Sequence, residues 1–273
     1  MLVSNRRTAL LMGFLAALYP ASAIAQDSRE PVEPDHTMDD IPPSWSKPDQ
    51  IAMLAYPGMT LLDLVGPQYM FASLLGATVH IVGRNLEPVT TDTGVTILPT
   101  TTFDACPADL TVLFAPGGTA GTLQAMADPA TRAFVSDRGS RAAWVTSVCT
   151  GSMILGAAGL LDGFRATSHW IAKPHLATFG AVPTDGRVVR DRNRITGGGV
   201  TAGLDFGLEL IALLRDPTYA QAVQLMCEYD PDPPFRSGSP ATADPAVVQI
   251  VSGMFEGFSQ QLGNVATGLA ART

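Results

Sequence analysis

The sequence predicts an α/β protein with a largely parallel sheet covered by helices on both faces. Short apolar runs of strand length recur along the chain, and a helical pattern or a Gly-containing turn follows most of them. Strands that alternate with helices form parallel sheets whose two faces are both buried. A chain of 273 residues with 46% apolar residues is long enough for one such domain.

The predicted elements follow one another from residue 50. The first strand is 50–57, which ends at Pro-Gly, and a helical pattern covers 59–77, where Pro67 requires a break or a new first turn. Further strands are predicted at 78–84, 109–118 and 142–148, with a hairpin over 87–103 around Asp92-Thr93-Gly94. Helices are predicted around 121–139, at 150–161 with a stop at Asp162-Gly163, at 218–229 and at 243–268. The segments 165–170, 187–196 and 200–216 complete the alternation.

The N-terminus has the order of residues typical of a secretory signal peptide. Arg6-Arg7 precedes an apolar run, and Ala23-Ile24-Ala25 stands before Gln26, so residues 1–25 are predicted to be removed on export. The paired arginines favour twin-arginine export over the general secretory route. The protein is therefore expected to be periplasmic or secreted, with no membrane contact after processing.

The mature chain is predicted to have three parts. Residues 26–48 are rich in Pro and acidic residues and are expected to form an extended arm. Residues 49–240 form the domain, and 241–273 form a C-terminal helical tail. The formal net charge is −8, and no basic cluster follows the signal sequence, so nucleic-acid binding is not expected.

Cys149 is the candidate nucleophile. It lies between an apolar strand and a predicted helix, which is the thiol version of the elbow that exposes nucleophiles in α/β enzymes. The free amides and the dipole of the helix are expected to lower the thiol pKa and to favour thiolate. Three cysteines leave at least one unpaired, and Cys106 and Cys227 are interpreted as structural.

Other candidate residues come from neighbouring strand ends. "FAPGG" places Gly117 and Gly118 after a strand, and the Gly118 amide is expected to form an oxyanion-type pair with the Thr150 amide. Asp63 is a carboxyl in an apolar run, interpreted either as a helix cap or as an acid aimed at the sulfur. His169 is the one plausible imidazole neighbour, although a structural role for it is favoured. No residues have the spacing of a metal site.

Four segments together resemble the ThiJ/PfpI group of the class I glutamine amidotransferase-like superfamily. They are "AYPGMTLLDLVGP", "LFAPGG", "SVCTGSMILGAAGLLDGFRATSHW" and "ITGGGVTAGLDFGLEL", and the likeness covers about residues 50–240. Within the group, Thr150 after the cysteine and Asp63 in Asp-Leu-x-Gly-Pro are most like isonitrile hydratases. The peptidase branch has His after the nucleophile, and deglycases have Glu on the first helix.

The resemblance implies a flavodoxin-like fold, a homodimer and no cofactor. It also implies that Cys149, Asp63 and Thr150 catalyse the hydration of a small-molecule isocyanide to an N-substituted formamide. The export signal departs from the group, which is expected in the cytoplasm.

Two alternatives to a hydratase remain open. The first is another thiol enzyme of this fold, acting on glyoxals or glycated amines. The second is a periplasmic redox or ligand sensor, since a low-pKa thiol oxidises readily. A transcription regulator is not expected, because too few residues follow "SGSP" for a DNA-binding domain and an exported protein does not regulate transcription.

Overall fold

The computed structural model describes residues 41–271, so the predicted signal peptide and most of the predicted arm lie outside the described residues. The strands are β1 Gln50–Leu54, β2 Thr78–Gly83, β3 Val89–Thr90, β4 Thr96–Ile97, β5 Thr101–Thr102, β6 Val112–Ala115, β7 Trp144–Val148, β8 Arg165–Ala166, β9 Val182–Pro183, β10 Val188–Asp191 and β11 Arg194–Gly197. The α-helices are α1 Leu61–Ala72, α2 Ala120–Ala127, α3 Pro129–Arg141, α4 Gly151–Ala157, α5 Ala202–Leu214, α6 Pro217–Met226 and α7 Pro245–Ala270. Two 3₁₀ helices cover Pro43–Trp45 and Lys173–Phe179.

A seven-stranded sheet in the order β5-β2-β1-β6-β7-β11-β10 forms the centre of the domain. Neighbouring strands run parallel except for the edge pair of β10 and β11, so the predicted largely parallel sheet is confirmed. Helices α1, α5 and α6 pack together as one group, and α2, α3, α4 and α7 as another. The rings of Phe71, Phe114 and Phe206 join α1, β6 and α5 in the core.

The expected break at Pro67 does not occur, because α1 continues through this residue. Proline removes one backbone hydrogen bond and its ring needs space that a helix seldom leaves. Here Gly203 of α5 provides that space because it has no side chain. A Cβ at this position would stand 3.0 Å from both Cγ and Cδ of Pro67. The contact between the two helices therefore accommodates the proline.

Two helices differ from their predicted lengths for local reasons. The helix expected around 121–139 is divided into α2 and α3 at Asp128, whose Oδ2 accepts from the Thr131 amide at 2.9 Å while Pro129 starts the new helix. The helix expected at 150–161 is the shorter α4. It ends where Gly159 takes a left-handed conformation with φ of 77°, the usual terminator of a helix, so Asp162-Gly163 is not the stop.

The last residues of the predicted extended arm are packed onto the domain. The Arg215 guanidinium, whose side chain is fully buried, donates to the Trp45 carbonyl and to the Asp49 carboxylate, each at 2.6 Å. The Trp45 indole donates to Asp216 at 2.6 Å. Residues 42–49 are thus held by hydrogen bonds to the start of the α5–α6 connection rather than extended away from the domain.

Candidate active site

The loops after β1, β6 and β7 meet at the carboxyl edge of the sheet. Asp63 lies in the first turn of α1, Gly117 and Gly118 follow β6, and Cys149 follows β7. The sheet order reverses between β1 and β6, and clefts at such a reversal are where open α/β sheets bind their ligands. The site residues of the sequence analysis, with the exception of His169, come together here.

The backbone of Cys149 is held in a conformation that non-glycine residues seldom adopt. Its φ is 57°, and its amide donates to the carbonyl of Gly198 at 2.7 Å. Its carbonyl accepts from the Ser168 hydroxyl at 2.9 Å. The predicted elbow is therefore present, and these hydrogen bonds offset a strain of about 1–3 kcal/mol that left-handed conformations cost.

Gly117 allows the acid and the nucleophile loop to approach each other. Its amide donates to Asp63 Oδ2 at 3.0 Å. A Cβ at this position would stand 2.5 Å from the Thr150 amide nitrogen and 2.8 Å from Asp63 Oδ2. Any side chain here would therefore separate Asp63 from Thr150.

Asp63 is fully buried and one of its oxygens is unpaired. Oδ1 has no hydrogen-bond partner among the described residues. Burial raises the pKa of this carboxyl to about 7, although the neighbouring Cys149 thiol and the Gly117 amide act in the opposite direction. A carboxyl with this pKa exchanges protons readily near neutral pH.

The expectation of a low-pKa thiolate at Cys149 is not met. Only 5% of the residue is exposed, and burial together with the negative charge of Asp63 raises the thiol pKa well above its usual value. The Thr150 and Val200 amides donate toward the sulfur and act in the opposite direction, but they do not outweigh burial. Because the two groups interact, they titrate as a pair, and near neutral pH that pair retains at least one proton.

The expected oxyanion pair of Gly118 and Thr150 does not form. The Gly118 amide donates to Thr150 Oγ1 at 2.8 Å, and this hydroxyl lies 2.6 Å from the Gly118 carbonyl and 2.9 Å from Thr122 Oγ1. Both the Gly118 amide and the Thr150 hydroxyl are therefore used within the protein. The amides that face the sulfur are those of Thr150 and Val200, and Val200 was not identified from the sequence because "TGGGV" is typical of an ordinary turn.

His169 lies at the edge of the site and makes no hydrogen bond to Cys149. A Cβ on Gly199 would stand 3.2 Å from its ring, and the centroid of the ring lies 5.7 Å from that of Phe255 in α7. Burial lowers the pKa of this imidazole. His169 thus packs against the 198–200 turn and α7, where burial disfavours its charged form.

The described residues contain no group of three or more metal-ligating side chains and no disulfide. Over residues 41–271, no helix combines the length and the apolar character that crossing a bilayer requires.

The fold and the site together define an α/β protein with a cysteine at a nucleophile elbow and an acid beside it. The sequence model of the DJ-1/PfpI family matches residues 49–213, and the chain belongs to this family. It is 52% identical over 199 residues to the isonitrile hydratase of Pseudomonas putida, which covers 73% of this chain and 86% of that protein. Because this identity spans most of both chains, the protein is an enzyme of the hydro-lyase class that acts on a small molecule.

Solved structures agree with the fold. A ThiJ/PfpI family protein from Pseudomonas syringae has 58% sequence identity and a TM-score of 0.83, covering 85% of this chain and 98% of that one. Drosophila melanogaster DJ-1beta, at 22% identity, superposes with a TM-score of 0.61 over 67% of this chain and 98% of its own. The second likeness is one of fold alone.

Proposed function

We propose that the protein hydrates isonitriles to N-substituted formamides, with Cys149 as nucleophile and Asp63 as the acid and base. The proposal is carried by the buried pair of a thiol and a carboxyl whose pKa of about 7 suits proton transfer in both directions. The likeness to an isonitrile hydratase supports the choice of substrate class.

The reaction begins with proton transfer within the pair. The thiol proton passes to Asp63, and the resulting thiolate is stabilised by the Thr150 and Val200 amides. The terminal carbon of the isonitrile takes the proton from Asp63 as the sulfur adds to the same carbon. The product is a thioimidate, in which carbon carries one hydrogen and a C–S bond, and Asp63 is left as carboxylate.

Water completes the reaction. Asp63 removes a proton from a water molecule as the water oxygen attacks the thioimidate carbon, and Asp63 then passes this proton to the nitrogen. The C–S bond of the tetrahedral intermediate then breaks, the hydroxyl proton returns to the pair, and the formamide leaves. One water is consumed and the thiol and carboxyl regain their starting state.

The test is formamide production from cyclohexyl isocyanide by the purified mature protein. Cys149→Ala and Asp63→Asn are expected to reduce the rate to background, because the first removes the nucleophile and the second the proton carrier. Cys227→Ala is the matched control, since it makes the same chemical change on a half-exposed helix end away from the site, and it should retain activity.

Three outcomes would contradict the proposal. Wild-type rates in Cys149→Ala would exclude the covalent route. Full activity in Asp63→Asn would remove the acid–base role. Turnover of methylglyoxal without turnover of any isonitrile would favour a glyoxalase-type enzyme.

A redox sensor is the less supported alternative, because a buried thiol with a raised pKa is a poor target for oxidants.

The protein is proposed to act outside the cytoplasm, with cleavage before Gln26. Support comes from the order of Arg6-Arg7, the apolar run and Ala23-Ile24-Ala25. N-terminal sequencing of the protein recovered from the periplasm should begin at Gln26. Retention of an intact N-terminus in the cytoplasm would contradict export, and loss of export in an Arg6→Lys, Arg7→Lys double variant would assign the twin-arginine route.

The protein is also proposed to form a homodimer. Large apolar side chains remain exposed on α6, on the following loop and on α7, namely Leu225, Met226, Phe235, Ile250 and Met254, each between 64% and 78% exposed. Large apolar side chains that stay exposed in one chain are candidates for burial in an interface between two copies. Light scattering during size-exclusion chromatography should give twice the chain mass, and a monomer mass would contradict the proposal.

A further inference from the structure

A chain of buried hydroxyls connects the core to the loop that carries Cys149. The Tyr56 hydroxyl lies 2.8 Å from the Pro116 carbonyl and 3.1 Å from Thr122 Oγ1. Thr122 Oγ1 lies 2.9 Å from Thr150 Oγ1, which lies 2.6 Å from the Gly118 carbonyl. All of these atoms are buried, so no bulk water competes for their protons.

The number of hydroxyl protons limits how many of these oxygen–oxygen contacts are hydrogen bonds. The three hydroxyls supply three protons for the four oxygen–oxygen contacts of this chain. The three shortest contacts are all satisfied when Thr150 donates to the Gly118 carbonyl, Thr122 donates to Thr150, and Tyr56 donates to the Pro116 carbonyl. The contact of 3.1 Å between Tyr56 and Thr122 then has no proton, in keeping with its greater length.

This assignment gives Thr122 a direct effect on the site. Its donated hydrogen bond, together with the Gly118 amide, provides the two bonds that Thr150 Oγ1 accepts. The Thr150 side chain is thereby fixed, and the Thr150 amide is one of the two that donate toward the sulfur. The same arrangement fixes the 116–118 loop, whose Gly117 amide holds Asp63.

We propose that Thr122 is a positioning residue for catalysis: its buried hydroxyl fixes Thr150 so that the Thr150 amide stabilises the thiolate of Cys149. The catalytic part of this proposal rests on the proposed hydration reaction, but its effect on the thiol does not. The hydroxyl of Thr122 touches neither substrate nor sulfur and acts only through Thr150.

The test compares two variants. Thr122→Val keeps the shape of the side chain and removes the hydroxyl, whereas Thr122→Ser keeps the hydroxyl. Alkylation of Cys149 by iodoacetamide, followed by mass spectrometry of the Cys149 peptide across pH, reports the apparent thiol pKa without any isonitrile. Thr122→Val should raise this pKa by about one unit and lower kcat about ten-fold with KM unchanged, the size of one lost hydrogen bond. Thr122→Ser should keep both the thiol pKa and kcat close to their wild-type values. If the Thr122→Val protein does not fold, Thr122→Ala should show the same two changes in its place.

Thr146→Val is the matched control. Thr146 is equally buried, and its hydroxyl donates to the Leu113 carbonyl at 2.9 Å, outside the chain of hydroxyls. The Thr146→Val protein should be less stable than the wild type, but the pH dependence of Cys149 alkylation should not change. The proposal is overturned if Thr122→Val alkylates like the wild type or if Thr146→Val gives the same shift. A shifted thiol pKa in a protein that hydrates no isonitrile would instead count only against the proposed reaction.

Discussion

At Asp63, the needs of the site oppose the stability of the fold. A carboxyl at this position is fully buried, has one unpaired oxygen, and has no cationic partner among the residues that act on its pKa. Such a group costs free energy in its charged form and persists where chemistry needs it. Cys149 is a second example, because its left-handed backbone costs free energy that an ordinary position would not require.

The stability that Asp63→Asn gains over the wild type should therefore depend on pH. The folded-state pKa of about 7 lies above the ordinary value of 3.8, so the stabilising effect of the bound proton is complete below the ordinary value and is lost as the pH rises through 7. The variant keeps an oxygen for the Gly117 amide and has no charge. Urea denaturation should show that it exceeds the wild type by on the order of 2–4 kcal/mol at high pH and that this gain shrinks toward acidic pH.

Asp104→Asn is the control for this measurement. Asp104 is an exposed carboxylate after β5, and it is not among the groups that act on the pKa of Asp63. Its variant should stay within about 0.5 kcal/mol of the wild type at each pH. An Asp63→Asn protein that is less stable than the wild type at pH 8 would contradict the proposed cost of the buried charge.

At the scale of elements, α7 is a structural part of the domain along its second half. Leu262 and Ala266 are fully buried, and the His175 imidazole lies 3.0 Å from the Ser259 hydroxyl. The first half of α7 differs, because Ile250 and Met254 face away from the domain while Phe255 contacts His169 at the edge of the site. The helix thus joins the core to the wall of the site.

Leu262→Ala should destabilise the whole domain. Removing a fully buried leucine side chain costs about 2–5 kcal/mol through lost burial and the cavity that remains. Leu98→Ala is the matched control, since it makes the same change at a residue that is 66% exposed, and it should alter stability by less than about 0.5 kcal/mol. A single thermal transition that Leu262→Ala leaves unshifted would mean that α7 is not docked.

At the scale of the whole molecule, Arg215 joins distant parts of the chain. Its guanidinium donates to the Leu75 carbonyl at 2.9 Å in addition to Trp45 and Asp49. One buried cation therefore holds the segment before β1, the α1–β2 connection and the end of α5. Tyr219 of α6 supports the same region by donating to the Ser73 carbonyl at 2.6 Å.

Arg215→Met should weaken the domain more than a surface substitution would. The change leaves the Asp49 carboxylate, whose side chain is 12% exposed, without its partner, and breaking such a pair from one side costs about 3–5 kcal/mol. Arg84→Met is the matched control, because Arg84 pairs with Asp128 with a side chain that is 67% exposed. Equal midpoints of urea unfolding for the two variants would contradict the structural role of Arg215.

The sequence by itself determined the fold class, the order of the elements and the cysteine elbow, because these depend on local periodicity and on residue types at strand ends. It also selected Asp63, Gly117 and Thr150 as neighbours of Cys149. Only the tertiary structure decided how those groups are used: whether Pro67 breaks its helix, which amides face the sulfur, and whether the thiol is charged. These depend on burial and on contacts between segments far apart in the chain, such as Gly203 against Pro67, or Thr122 against Thr150, which no local pattern contains.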